Sequence, residues 1–210
     1  MDSLERKHPF KHVTRQNWLD PDPVSASFVK LDHRDGSVTP MDGADWIDVV
    51  VATTLRPGVP TEVVNAFEFT KGGLGYGFFY YPLATIVCQQ VLRVADFAID
   101  RFFMERAIVP RPRSMAQRLK RLREDNLISE KQFQQWDAMR HLRNGATHPD
   151  FQHVWFPSDA VRTLKLVAEL VSSLPWPSDP AESDEWKLHV EPSVGSSASE
   201  TSPCAADAVI

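Results

Sequence analysis

The segment Arg143-Asn144-Gly145-Ala146-Thr147-His148-Pro149 holds the side chains needed for acid–base chemistry on a phosphate. Arginine is a fixed cation whose planar fork can hold a phosphate through two hydrogen bonds. Histidine titrates near neutral pH and can give or take a proton there. Asn144, directly after the arginine, can hydrogen-bond a phosphate or fix an imidazole tautomer. In such a constellation Arg143 would bind the scissile group and stabilise charge in the transition state, and His148 would act as general acid or base. An RNA 2′-hydroxyl would be the nucleophile. This chemistry needs no metal, and DNA is a poor substrate for it.

The helix that must carry the arginine is expected to start at Ser129, with Glu130 in its first turn. Trp136, Met139 and Arg143 follow a helical i, i+3, i+7 pattern, so Arg143 lies on or beside the apolar face. A guanidinium there must find a partner. His148 does not share that face in a continuous helix, because five residues rotate the side chain by about 140°. Gly145 loosens the helix, and Pro149 disfavours α conformation at His148. A turn between them is therefore required before the two side chains can meet. By spacing alone, the segment is also a competent helix terminus. Arg143 would then pair with Asp96 or Asp100 and hold two helices together, and His148 would bond a terminal carbonyl.

Other chemistries find less support. The histidines His8, His12, His33, His141, His148, His153 and His189 form no His-Glu-x-x-His pattern, and Cys88 and Cys204 form no Cys-x-x-Cys. No metal or other cofactor is expected. No Gly-x-Ser-x-Gly marks a serine hydrolase. Lys71-Gly72-Gly73-Leu74-Gly75-Tyr76-Gly77 lacks the ending of a phosphate-binding P-loop and reads as a flexible connector between helices.

The elements around the motif are read from periodicity and punctuation. Residues 1–40 form a polar, Pro-rich irregular segment, in which Phe28–Leu31 and Asp35-Gly36 suggest one small hairpin. A helical domain is expected over residues 41–177. Asp42 caps a helix through Trp46, Ile47, Val50 and Val51, and Thr61 opens another reaching about Phe69. Leu83 to Val109 contains no Gly or Pro; Leu83, Val87, Val91, Val94, Ala98 and Phe102 recur at helical spacing. A polar stripe, Gln89, Arg93, Asp96 and Asp100, runs along the same helix. It is either a wet face or the place where the helix meets residues 143–148. Pro110 and Pro112 break this helix, and Ser114 caps the next, Met115 to about Glu124. A last helix is expected from a Ser158 cap to Leu174. Residues 178–210 are acidic and Ser-rich and are expected to be disordered, with a small apolar island at Trp186–Val190. The expected fold is all-α, a bundle of four or five helices.

Charge distribution refines the partner question. The chain of 210 residues carries a net charge of −5, with 42% hydrophobic residues. Residues 178–210 hold seven acids and one base, so the remaining 177 residues come to about +1. Residues 106–123 hold seven bases and no acid. This run is either a local nucleic-acid-binding patch or a solvated helix face. Arg118 and Arg121 within it, and Arg140 one turn before Arg143, are the candidate substrate-binding residues. The start, MDSLERKHPF, lacks an apolar leader core, and the longest apolar stretch, Gly75 to Cys88, is too short to span a bilayer. With two cysteines and no disulfide framework, a cytoplasmic location without membrane contact is expected.

Residues Leu119 to Pro149, LKRLREDNLISEKQFQQWDAMRHLRNGATHP, resemble the HEPN superfamily of small α-helical proteins. The likeness lies in a Leu-rich helix, a Leu-Ile-Ser turn, an acidic-polar helix, and an Arg-Asn-x-x-x-His-Pro ending. The family motif is Arg, four to six residues, then His; here it falls on Arg143, Asn144 and His148, and the likeness covers about residues 80–175. The resemblance implies a metal-independent RNA endonuclease, commonly dimeric, with one arginine–histidine pair from each protomer in a shared cleft. It also implies a toxin or antiviral-defence role, in some members beside an antitoxin partner. The alternative it leaves open is a non-catalytic helical interaction or nucleotide-binding module.

Overall fold

The computed structural model describes residues 11–32, 34–146 and 155–177. The chain is mainly α-helical, as expected. Among the described residues there are six α-helices and one two-stranded sheet: β1 (Val29–Leu31), β2 (Val38–Pro40), α1 (Gly43–Val51), α2 (Thr61–Tyr76), α3 (Leu83–Glu105), α4 (Met115–Glu124), α5 (Glu130–Ala146) and α6 (Pro157–Ser173). The hairpin pairs Val29 with Pro40 and Leu31 with Val38. Its turn uses Gly36 at φ 74°, a left-handed conformation that glycine adopts without steric cost. The strands lie on the surface, and the hairpin is moored by Phe28, whose ring meets Trp46 at 5.8 Å.

Side-chain caps set the starts of three helices. Asp42 and Asp45 form a reciprocal capping box on α1, and Ser114 and Gln117 form one on α4. Ser129 and Gln132 do the same for α5, with N–H···O contacts of 2.8 and 3.2 Å. Boundaries of α3 and α6 differ from expectation. Helix α3 ends at Glu105, before Pro110, because Ala107 turns left-handed at φ 48° and the Ile108 N–H bonds back to the Phe103 carbonyl at 3.1 Å. Helix α6 begins at Pro157, not after a Ser158 cap. Proline suits the first helical position, where its missing N–H leaves nothing unpaired.

The glycine-rich segment is not a connector. Helix α2 runs through it to Tyr76. A Cβ on Gly75 would stand 2.8 Å from Ile47 Cδ1, and one on Gly73 would stand 3.1 Å from Val87 Cγ2. The glycines let α1 and α3 approach α2 closely, and that packing outweighs their poor helix propensity.

Helix α3 is the central element. It packs against α2 and α6 along its length, and against α5 and α4 on another side. Val87, Val91, Val94, Ala98 and Phe102 are all buried, as their spacing required. Trp136 and Met139 of α5 and Leu164, Val167 and Val171 of α6 complete this core. Burying an aliphatic or aromatic side chain of this size contributes roughly 1.5–3 kcal/mol. The N-terminal segment is pinned by buried Asp22, whose carboxylate accepts from the Val24 N–H at 3.0 Å and the Tyr81 N–H at 3.1 Å. Among the described residues, no helix is long and apolar enough to cross a membrane.

Candidate functional site

The half-buried polar stripe of α3 meets two other helices. Arg143, in the last turn of α5, places Nη2 3.1 Å from Asp96 Oδ2. Its side chain is 33% exposed, and Asp96 is its sole ion-pair partner among the described residues. This is the edge position that the Trp136–Met139–Arg143 spacing required. Leu142, the residue before it, points outward.

Arg118 of α4 reaches the same stripe. Its Nη1 lies 3.5 Å from Asp96 Oδ1, and its Nη2 lies 2.9 Å from Asp100 Oδ1. Nε donates to the Pro112 carbonyl at 3.1 Å. This guanidinium is nearly enclosed, with 12% of the side chain exposed. Arg111 also donates to the Asp100 carboxylate. Three guanidiniums from α5, α4 and the α3–α4 loop thus surround two carboxylates one helical turn apart. The cluster carries one more positive charge than negative. Asp96 Oδ1 is buried and has no hydrogen-bond partner among the described residues.

The other expected site residues lie elsewhere. Arg140 is held on its own helix, donating from Nε to Asp137 Oδ1 at 2.7 Å and lying 2.7 Å from His141 Nε2 through Nη2. That bond from Arg140 holds the Asp137 carboxyl below the usual carboxylate range. Arg121 bonds Asp125 at 2.7 Å on the outer side of α4. Asn144 is exposed on α5 and makes contacts of its own. His148 lies outside the described residues, as do Asp150, His153, the Gly145–Pro149 turn beyond Ala146, and the tail from residue 178 with its apolar island.

The basic run at 106–123 is largely neutralised. Besides Arg111 and Arg118, Lys120 pairs with Glu124 at 3.6 Å, Arg121 with Asp125, and Arg123 with Glu130 at 3.6 Å. Arg106 instead donates to the Pro175 carbonyl. The partner acids come from α3 and from residues beyond 123, so a count within the run could not include them. Arg111 was missed as a member of the cluster.

Residues 89–174 match a family model described as Domain of unknown function (DUF4145). The matched span includes Asp96, Asp100, Arg118 and Arg143, and runs from within α3 to the end of α6. Its description assigns no activity. No curated protein matches the chain, and no solved structure matches it.

Among the described residues, no group of three or more His, Cys, Asp or Glu side chains is gathered so as to hold a metal. Cys88 is buried in the core, and burial pushes its thiol up to about 11, which suppresses the thiolate.

Proposed function

We propose that the chain is a metal-independent RNA endonuclease of the HEPN type. It would act as a homodimer in the cytoplasm, with a role in toxin–antitoxin or antiviral systems and an antitoxin as its protein partner in the former. The observation that carries this reading is the state of Arg143. Its guanidinium stands at the end of α5, five residues before His148, with a third of the side chain open to solvent and one carboxylate as its ion-pair partner. A phosphate can approach such a group, whereas it cannot approach the enclosed Arg118.

In the proposed reaction the RNA 2′-hydroxyl attacks the adjacent phosphorus and the bond to the 5′-oxygen breaks. The products are a 2′,3′-cyclic phosphate and a 5′-hydroxyl end. Arg143 stabilises charge on the phosphoryl oxygens, and His148 moves the proton. Asn144 assists at the phosphate or the imidazole. Arg121, which lies toward solvent on α4, and Arg140, mostly covered beside Asp137 on α5, would guide the backbone of the RNA.

The purified protein should cleave RNA in EDTA and leave cyclic phosphate ends, and Arg143→Ala and His148→Ala should fold and lose cleavage. Intact RNA across a broad panel, or metal-dependent 5′-phosphate products, would overturn the reading.

A second reading is favoured by the same ion pair. The Arg143–Asp96 contact ties α5 to α3, as a purely structural helix clamp would. The chain would then be a non-catalytic helical interaction or nucleotide-binding module. His148→Ala would be silent in cells under that reading, and deletion of residues 178–210 would abolish function.

A further inference from the structure

We propose that Asp96 is a positioning residue that competes with the substrate phosphate for Arg143 and is handed to Arg118 when the phosphate binds. The proposal rests on the reading of Arg143 as a phosphate-binding group.

The geometry of the carboxylate carries it. Asp96 divides its two oxygens between two helices: Oδ2 lies 3.1 Å from Arg143 of α5, and Oδ1 lies 3.5 Å from Arg118 of α4. The Arg118 contact is long, and Oδ1 is buried without a hydrogen bond among the described residues. A buried acceptor in that state is costly, and it gains by moving toward a donor. Arg118 offers the donor. It is fixed by Asp100 at 2.9 Å and by the Pro112 carbonyl at 3.1 Å, so it stays in place while the carboxylate moves.

Arg143 is the loose member of the cluster. Arg118 has two carboxylates and backbone carbonyls around it, and Arg111 has the Asp100 carboxylate. Among the described residues Arg143 pairs with Asp96 alone, through Nη2. Counted over the described residues, the cluster of three guanidiniums and two carboxylates is one negative charge short, and Arg143 is where that charge is best admitted. A phosphate arriving there is repelled by Asp96 as long as Oδ2 stays. Rotation of the carboxylate onto Arg118 relieves the repulsion and completes the unsatisfied Oδ1 contact. Arg118 therefore acts on the substrate through Asp96 and touches no RNA itself.

A double-mutant cycle tests this, using the full-length chain and two probes: inorganic phosphate, and a fully 2′-O-methylated oligoribonucleotide that cannot be cleaved. Removing the competing ion pair in Asp96→Asn should tighten binding of both probes by up to about fivefold. Asp100→Asn removes the same charge without touching Arg143 and should give a smaller gain. Arg118→Gln should weaken binding in the wild-type background, because Asp96 then has nowhere else to go. In the Asp96→Asn background the same change should have no effect. If Arg118 instead contacts RNA directly, its loss costs equally in both backgrounds, and the proposal fails. It also fails if Asp96→Asn gains no more than Asp100→Asn, or if neither wild type nor Asp96→Asn binds phosphate. Should a variant not fold, the wild type still reports. Arg143 and Asp96 side-chain NMR signals must shift together on phosphate titration, and a stationary Asp96 signal sinks the idea. Phosphate binding with the predicted cycle but no RNA cleavage would defeat the nuclease reading alone.

Discussion

Arg143 and Arg118 hold the same aspartate, yet removing them should have very different consequences for stability. Arg143 is one third exposed and makes one ion pair among the described residues, at 3.1 Å. An ion pair of that exposure is worth about 0.2–1 kcal/mol. Its loss leaves Asp96 still facing Arg118, so no buried charge is stranded. For a chain of this size, 1 kcal/mol moves the melting temperature by roughly 2–4 °C. Arg143→Ala should therefore lower Tm by less than about 4 °C. Arg118 is 12% exposed and joins Asp96, Asp100 and the Pro112 carbonyl. Its removal leaves two partly buried carboxylates facing Arg143 and Arg111 alone. Breaking a buried ion pair from one side costs about 3–5 kcal/mol; because both carboxylates keep some solvent contact, the expected cost is about 2–3 kcal/mol. Arg118→Ala should then lower Tm by roughly 5–10 °C. Thermal unfolding followed by far-UV circular dichroism, checked by urea titration, measures both. If Arg143→Ala loses as much as Arg118→Ala, then Arg143 is a structural clamp. The inference from its exposure to an available phosphate site would be refuted.

Two further outcomes follow from the core. A Cβ on Gly72 meets nothing within 4 Å, so Gly72→Ala should stabilise the chain by about 0.5–1 kcal/mol, while Gly75→Ala, which must displace Ile47 Cδ1 from 2.8 Å, should end below it in Tm. Burial raises the Cys88 thiol from 9.0 to about 11, so the unfolded chain releases that proton at lower pH than the folded one. Stability from this group is complete below pH 9 and falls by roughly 2–3 kcal/mol as pH rises to 11. Urea midpoints across that range should show a shallower decline in Cys88→Ala; equal slopes would contradict the burial argument.

Short-range features were decided by the sequence itself. Asp42, Ser114 and Ser129 marked helix starts because a capping side chain acts within three residues. The apolar spacing of α3 named Val87, Val91, Val94, Ala98 and Phe102 as core residues, since a helical face is fixed by a rotation of about 100° per residue. The same arithmetic put Arg143 at the edge of an apolar face, and the polar stripe of α3 offered Asp96 or Asp100 as its partner; the structure pairs it with Asp96. Tertiary structure decided what depends on a second element. The glycines of α2 looked like a loop until α1 and α3 were packed against them, because a close approach between helices leaves no trace in local periodicity. The bases at 106–123 read as either a binding patch or a solvated helix face, and in the structure acids from α3 and from beyond residue 123 close on most of them. The sequence also could not tell that Asp96 is shared between two arginines. A carboxylate has two oxygens, and only the placement of three chain segments around α3 determines who holds each.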